Sequence, residues 1–132
     1  ARFVSPDTIV LAIEEDTAEE NHRRSMDNLR RLEHAAQRAD IGPLNIVKVP
    51  YPRRVMMQDD VLPASYTNFF IGNGVVIVPT FNDPKDRQVL GVFAELMPNH
   101  DVVGIHAVDL VLGLGSFHCL TQQEPCSRRE AS

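Results

Sequence analysis

Cysteine is scarce in this 132-residue chain: there are two, Cys119 and Cys126, and no Cys-x-x-Cys pair. That excludes a disulfide scaffold and leaves free thiols, which suit a reducing cytosol. Long apolar runs are missing too. No stretch approaches the roughly 18 residues of a membrane span, and no signal peptide is visible. A cytoplasmic protein with no membrane partner is therefore expected. Charge of one sign is never concentrated: the net charge is −5, without a run of five like charges. That speaks against a nucleic-acid partner, because phosphate binding uses a basic face. His22, His34, His100 and His106 show no ligand-like spacing, so no metal site is expected.

What is present is an ordinary globular composition, with 43% hydrophobic and 23% charged residues. It is enough for a real core in one domain, or in one piece of a larger domain. The chain opens at Ala1, without a Met, and runs at once into Phe3-Val4, which reads as a cut end. Residues 127–132 form a polar tail expected to fray, so the folded portion is placed at 1–126.

Thr8-Ile9-Val10-Leu11-Ala12-Ile13 is a β-branched apolar run and predicts a buried strand. Thr17-Ala18-Glu19-Glu20 has the spacing of a capping box, predicting a helix to about residue 39 with Met26, Leu29, Leu32 and Ala36 inward. Gly42-Pro43 stops it, and 44–49 is the next strand. Residues 50–65 read as a long irregular connection. Strands over 66–71 and 75–79 flank Asn73-Gly74, a hairpin turn signal. Asp83 and Pro84 start a second helix, over 84–97, with Val89, Leu90, Phe93 and Met97 inside. A strand over 102–105 and a short apolar stretch over 108–112 follow. The order is strand, helix, strand, then hairpin, helix, strand. It predicts an α+β fold built from a repeated module with mixed sheets.

Gly113-Leu114-Gly115-Ser116-Phe117-His118-Cys119 brings a thiol in behind a glycine-rich approach, with Thr121, Gln122 and Gln123 as neutral hydrogen-bonding groups beyond it. Glycines let backbone come close to a ligand, and a cysteine held there can be activated. On pattern alone Cys119 fits two readings, an inert small core residue and a nucleophile. If the segment is extended, His118 faces away from Cys119 and is a hydrogen-bonded structural histidine; the base then comes from elsewhere.

This segment resembles the C-terminal signature of agmatine deiminases, which reads Gly-Gly-Gly-Asn-Ile-His-Cys-Ile-Thr-Gln-Gln. Ala1-Arg2-Phe3-Val4-Ser5-Pro6, Ser65-Tyr66-Thr67-Asn68-Phe69, Asn73-Gly74-Val75-Val76-Ile77-Val78-Pro79, Phe81-Asn82-Asp83-Pro84-Lys85-Asp86 and Val103-Gly104-Ile105 also look like that family. The resemblance covers nearly the whole chain, in order. It implies a pentein propeller, of which this chain is about two ββαβ-type blades. It implies covalent chemistry on a guanidinium carbon, with ammonia leaving and a thiouronium-type intermediate hydrolysed. No cofactor is implied.

Within the resemblance Cys119 is the nucleophile, Gly115 and Ser116 bind substrate, and Leu114 and Ser116 sit beside the substrate channel. Agmatine is the implied substrate, hydrolysed to N-carbamoylputrescine and ammonia. The family's Asp-Gly-His-x-Asp motif lies just before the Ala-Arg-Phe-Val segment, so its histidine and aspartates do not map here. The N-terminal part of the same enzyme, or further copies of the chain, is the expected protein partner. Leu114 replaces the middle glycine and Ser116 the asparagine, which leaves peptidyl-arginine or another arginine derivative as an alternative substrate. A non-catalytic half-propeller that binds a partner chain is the remaining alternative.

Overall fold

The structure is a computed structural model, and it describes residues 1–38 and 42–125. Cys126, the 127–132 tail and the end of the first predicted helix at residue 39 lie outside the described residues. The order is β1 (Arg2–Ser5), β2 (Thr8–Ile13), α1 (Glu20–Arg38), β3 (Asn45–Pro50), β4 (Val55–Met57), β5 (Asp60–Leu62), β6 (Phe70–Gly72), β7 (Val75–Thr80), α2 (Lys85–Leu96) and β8 (Asp101–His106), then a 3-10 turn over Leu110–Gly113.

Two three-stranded sheets share one layout. In the first, β1 runs antiparallel to β2, and β2 parallel to β3 across α1. In the second, β6 runs antiparallel to β7, and β7 parallel to β8 across α2. Each parallel pair needs a crossover, and the helix supplies it. The fold is thus mixed α+β with small sheets, and the repeated strand–strand–helix–strand order is present twice. Val10, Ala12 and Val49 of the first unit share one buried cluster with Phe69, Val76, Val78, Val89 and Phe93 of the second. No helix among the described residues is long and apolar enough to cross a membrane.

Local chemistry accounts for several departures from the sequence reading. The Thr17–Glu20 capping box does not form. Asp16 Oδ1 instead accepts from the Ala18 amide at 2.9 Å, and the Glu20 carboxylate takes Arg24 at 2.9 Å, a pairing one helical turn away. The buried stripe of α1 is Ser25, Leu29 and Ala36, with Leu32 half-buried; Met26 is exposed at its edge. Ser25 is buried because it is satisfied: its hydroxyl donates to His22 O and accepts from the Glu14 amide. The connection over 50–65 is not irregular throughout, since β4 and β5 pair within it as an antiparallel hairpin. The strand expected over 66–71 shrinks to Phe70–Gly72, because residues before it form a polar turn in which Asn68 N donates to Ser65 O. The Asn73-Gly74 turn does close β6 onto β7, with Gly74 supplying the left-handed residue at φ 75°.

The Asp86 carboxylate ties Tyr66, in the turn before β6, to the start of α2. Asp83 Oδ1 accepts from the Lys85 amide at 2.8 Å, while Asp86 Oδ2 accepts from the Asp83 amide at 3.0 Å. This reciprocal pair is the helix start that Asp83-Pro84 announced. Asp86 also accepts the Phe81 amide and the Tyr66 hydroxyl, the latter at 2.7 Å. Tyr66 is fully buried, and burial together with the Asp86 bond pushes its phenol well above the ordinary range, so it stays a donor. Asp86→Ala is expected to cost about 3 kcal/mol in chemical denaturation, because it strands a buried hydroxyl and two amides. A loss under about 1 kcal/mol would contradict the role given to Asp86 here.

Candidate active site

Cys119 is exposed and carries a free thiol. Its segment is not extended, as assumed for the sequence reading, but coiled into a helical turn. Leu120 N donates to Ser116 O at 3.1 Å, Thr121 N to His118 O at 3.3 Å, and Thr121 Oγ1 to Phe117 O at 2.8 Å. Leu114 leads into the turn in a left-handed conformation, φ 66° and ψ 20°, and is 73% exposed. A glycine would take this geometry freely; leucine does so at a cost of about 1–2 kcal/mol.

The thiol rests directly on Gly115. A Cβ built on Gly115 would stand 2.7 Å from Cys119 Cβ and 2.8 Å from Sγ, so no side chain fits there. On its other side the thiol is gripped by Asn68. Asn68 Nδ2 donates to Cys119 Sγ at 3.1 Å, and Asn68 Oδ1 accepts the His118 and Cys119 amides at 2.9 and 3.2 Å. The Asn68 carbonyl in turn accepts the Ser116 hydroxyl at 3.3 Å. Ser116 is only 1% exposed. Its hydroxyl sits behind Asn68 rather than on the open side of the thiol.

His118 contributes its backbone amide. Its ring is exposed and makes no hydrogen bond among the described residues, so the expected hydrogen-bonded structural histidine is not found. Gln123 pins the segment beyond the thiol, its Nε2 donating to Ile71 O on β6 at 3.2 Å. No group of three or more His, Cys, Asp or Glu among the described residues could hold a metal ion.

Phe69 follows Asn68 and is fully buried, edge-on to Phe93 with ring centroids 4.7 Å apart. Arg2, at the start of β1, lies over the Phe69 ring with its guanidinium carbon 4.3 Å from the centroid, and donates Nη1 to the Phe69 carbonyl. It is half-buried. Burial lowers its pKa, and the nearby Cys119 charge acts in the opposite direction. Arg2 and His118 line one cavity of about 190 Å³ with Phe70, Thr121, Gln122 and Gln123.

Residues 1–125, a span that includes this thiol and its whole grip, match the model of the Porphyromonas-type peptidyl-arginine deiminase family. The chain belongs to that family. It is 32% identical to an agmatine deiminase of Pseudomonas fluorescens, over 96% of this chain and 39% of that protein. Among solved structures it is 37% identical to a proposed arginine deiminase from Porphyromonas gingivalis, with a TM-score of 0.88 over 94% of this chain and 36% of that one. An agmatine deiminase of Enterococcus faecalis gives 28% identity and a TM-score of 0.83, over 93% of this chain and 38% of that one. The chain thus spans about two-fifths of the length of the curated relatives it matches.

In this deiminase-family chain, Asn68 and Arg2 are the two site residues that reading the sequence for chemistry missed. Both stand inside segments that carry the family resemblance. Yet each is far from Cys119 in sequence, and an Asn before a strand does not by itself signal a thiol partner. Asn68→Ala removes the side chain that, among the described residues, fixes both the thiol and its amides. In the intact protein it should reduce turnover on the order of 10²-fold, as expected for a reacting group displaced by about 1 Å. Turnover within about threefold of the unsubstituted protein would show that the grip is dispensable.

Proposed function

We propose that Cys119 is the nucleophile of a guanidine-modifying hydrolase of the agmatine deiminase type, and that this chain forms part of it. The observation that carries the reading is an exposed thiol bound by Asn68 Nδ2 at 3.1 Å and seated on a glycine that leaves it no competitor for space. The thiolate attacks the guanidinium carbon, the C–N bond breaks, and ammonia leaves with a proton supplied by an acid. Water then adds to the thiouronium carbon, and the C–S bond breaks to release the urea product and the thiol. Asn68 holds the sulfur in line for both steps. Gly115 leaves room for the sulfur to sit against the backbone, and Ser116 supports Asn68 from behind.

The Asp-Gly-His-x-Asp motif does not occur in these 132 residues. On this reading the proton-handling histidine and the guanidinium-binding carboxylates come from another part of the protein. The two repeated units are then two blades of a pentein propeller. β8 is the outer strand of its sheet, and Val103 and Ile105 on it are 41% exposed. That supports packing against the remainder of the enzyme or against further copies. The reaction needs no cofactor, and a free thiol suits the cytoplasm.

Agmatine is the first choice of substrate because the Pseudomonas fluorescens and Enterococcus faecalis relatives bear that activity in their names. The Porphyromonas gingivalis structure, a proposed arginine deiminase, favours a second reading in which the substrate is arginine or peptidyl-arginine. The test is ammonia release by the full-length protein from agmatine, arginine and a peptidyl-arginine. Release chiefly from agmatine is expected. Release chiefly from either other substrate establishes the second reading, and release from none removes both.

A further inference from the structure

The grip on the thiol is only as stiff as the stretch that carries Asn68. That stretch is a short polar turn. The Asn68 amide donates to Ser65 O at 3.2 Å, and the Ser65 and Thr67 hydroxyls lie 2.8 Å apart. Such turns are mobile unless something outside them holds them. Here a fully buried aromatic stands on either side: Tyr66 before Asn68 and Phe69 directly after it. Both are rooted on α2. The Tyr66 hydroxyl donates to Asp86 in the first turn of the helix, and the Phe69 ring packs edge-on against Phe93 on its inner face. Those two roots lie about two turns, or about 10 Å, apart along the helix axis. We infer that α2 is the mount of the thiol's clamp, and that Tyr66 is a positioning residue: held by Asp86, it sets where Asn68 holds Cys119.

The Tyr66 hydroxyl does something that filling the core does not require. Its ring already packs beside Phe81, with centroids 5.5 Å apart, and a phenylalanine would fill the same space. The hydroxyl adds direction. Asp86 is itself fixed by the Phe81 and Asp83 amides, so its bond to Tyr66 pins one point of the turn rather than only burying it. Precision matters at the other end. Asn68 Nδ2 meets the sulfur while Oδ1 meets two amides, and three bonds from one side-chain amide tolerate little displacement. The Asn68 and Phe69 carbonyls have partners of their own in Ser116 and Arg2. Those hold the chain at and after Asn68, whereas Tyr66 fixes it before.

The effect on turnover rests on the nucleophile reading; the effect on the grip does not. Amide hydrogen exchange at His118 and Cys119 reads the grip directly, because Asn68 Oδ1 accepts both amides. In the intact protein, Tyr66→Phe should speed exchange at these two amides about tenfold. It should lower kcat about tenfold with KM within about twofold, as for a reacting group shifted by less than about 1 Å. Phe93→Leu, which keeps apolar volume but removes the edge-on ring, should speed the same exchange. Leu29→Ala is the control. Leu29 is buried on α1, in the other unit, and its truncation weakens the fold at least as much as the loss of one hydroxyl. It should leave the two amides and kcat within about twofold. Exchange unmoved by Tyr66→Phe overturns the inference, and so does a Leu29→Ala protein that loosens the two amides equally. A protein that releases no ammonia from any of the three substrates defeats the nucleophile reading, and the exchange measurement still decides whether α2 holds the clamp.

Discussion

Cys119→Ser in the intact protein should leave the fold unchanged and lower ammonia release by on the order of 10³-fold or more. The guanidinium carbon is resonance-stabilised and its bearer is a cation. A thiol meets that difficulty because it is intrinsically nucleophilic and a few per cent ionised near pH 7, while a serine hydroxyl is far less acidic and essentially un-ionised there. Serine is slightly smaller and can still accept from Asn68 Nδ2, so the grip on the turn survives and the loss is chemical rather than structural. A haloacetamidine-type guanidine mimic should label Cys119, with protection by agmatine. Cys126 follows Pro125 and has no glycine-rich approach, so Cys126→Ser should change turnover little. Label on Cys126, or near-normal kcat in Cys119→Ser, would move the nucleophile elsewhere.

Gly115→Ala should damage both stability and turnover with a single added methyl. That methyl would stand 2.7 Å from Cys119 Cβ and 2.8 Å from Sγ, distances at which the thiol, the turn or both must shift. The overpacking should cost about 1–3 kcal/mol of stability. The displaced sulfur should lose on the order of 10²-fold in turnover, as for any reacting atom moved by about 1 Å. Thermal unfolding and kcat/KM measured on one preparation separate the two effects. An alanine protein with unchanged kinetics would mean that the thiol does not work from this position.

The larger elements were legible because their signals are local. The apolar run Thr8–Ile13 is β2 as read, and the Val89, Leu90, Phe93 and Met97 spacing marks the inner face of α2. The Asn73-Gly74 turn and the Asp83 start of α2 also stand where the sequence put them. What failed was short or depended on tertiary context. The hairpin of β4 and β5 has three-residue strands, too short for alternation to show. Tyr66 and Thr67 are residue types that favour strands, but the Tyr66 hydroxyl is drawn to Asp86, twenty residues away. In the candidate site, Cys119 and Gly115 were legible from their own segment. Asn68 was not, since its role exists only when residues 51 positions apart are folded together. His118 misled because the turn, not an extended strand, decides where its ring goes.

Arg2 grows from one repeated unit, and the aromatic ring and carbonyl that catch it belong to the other. That one contact joins the two units outside their shared apolar core. A small rotation of one against the other would slide the guanidinium along the ring before it exposed the core, while every strand stayed paired. The Arg2–Phe69 contact is in that sense a gauge of how the two units are aligned.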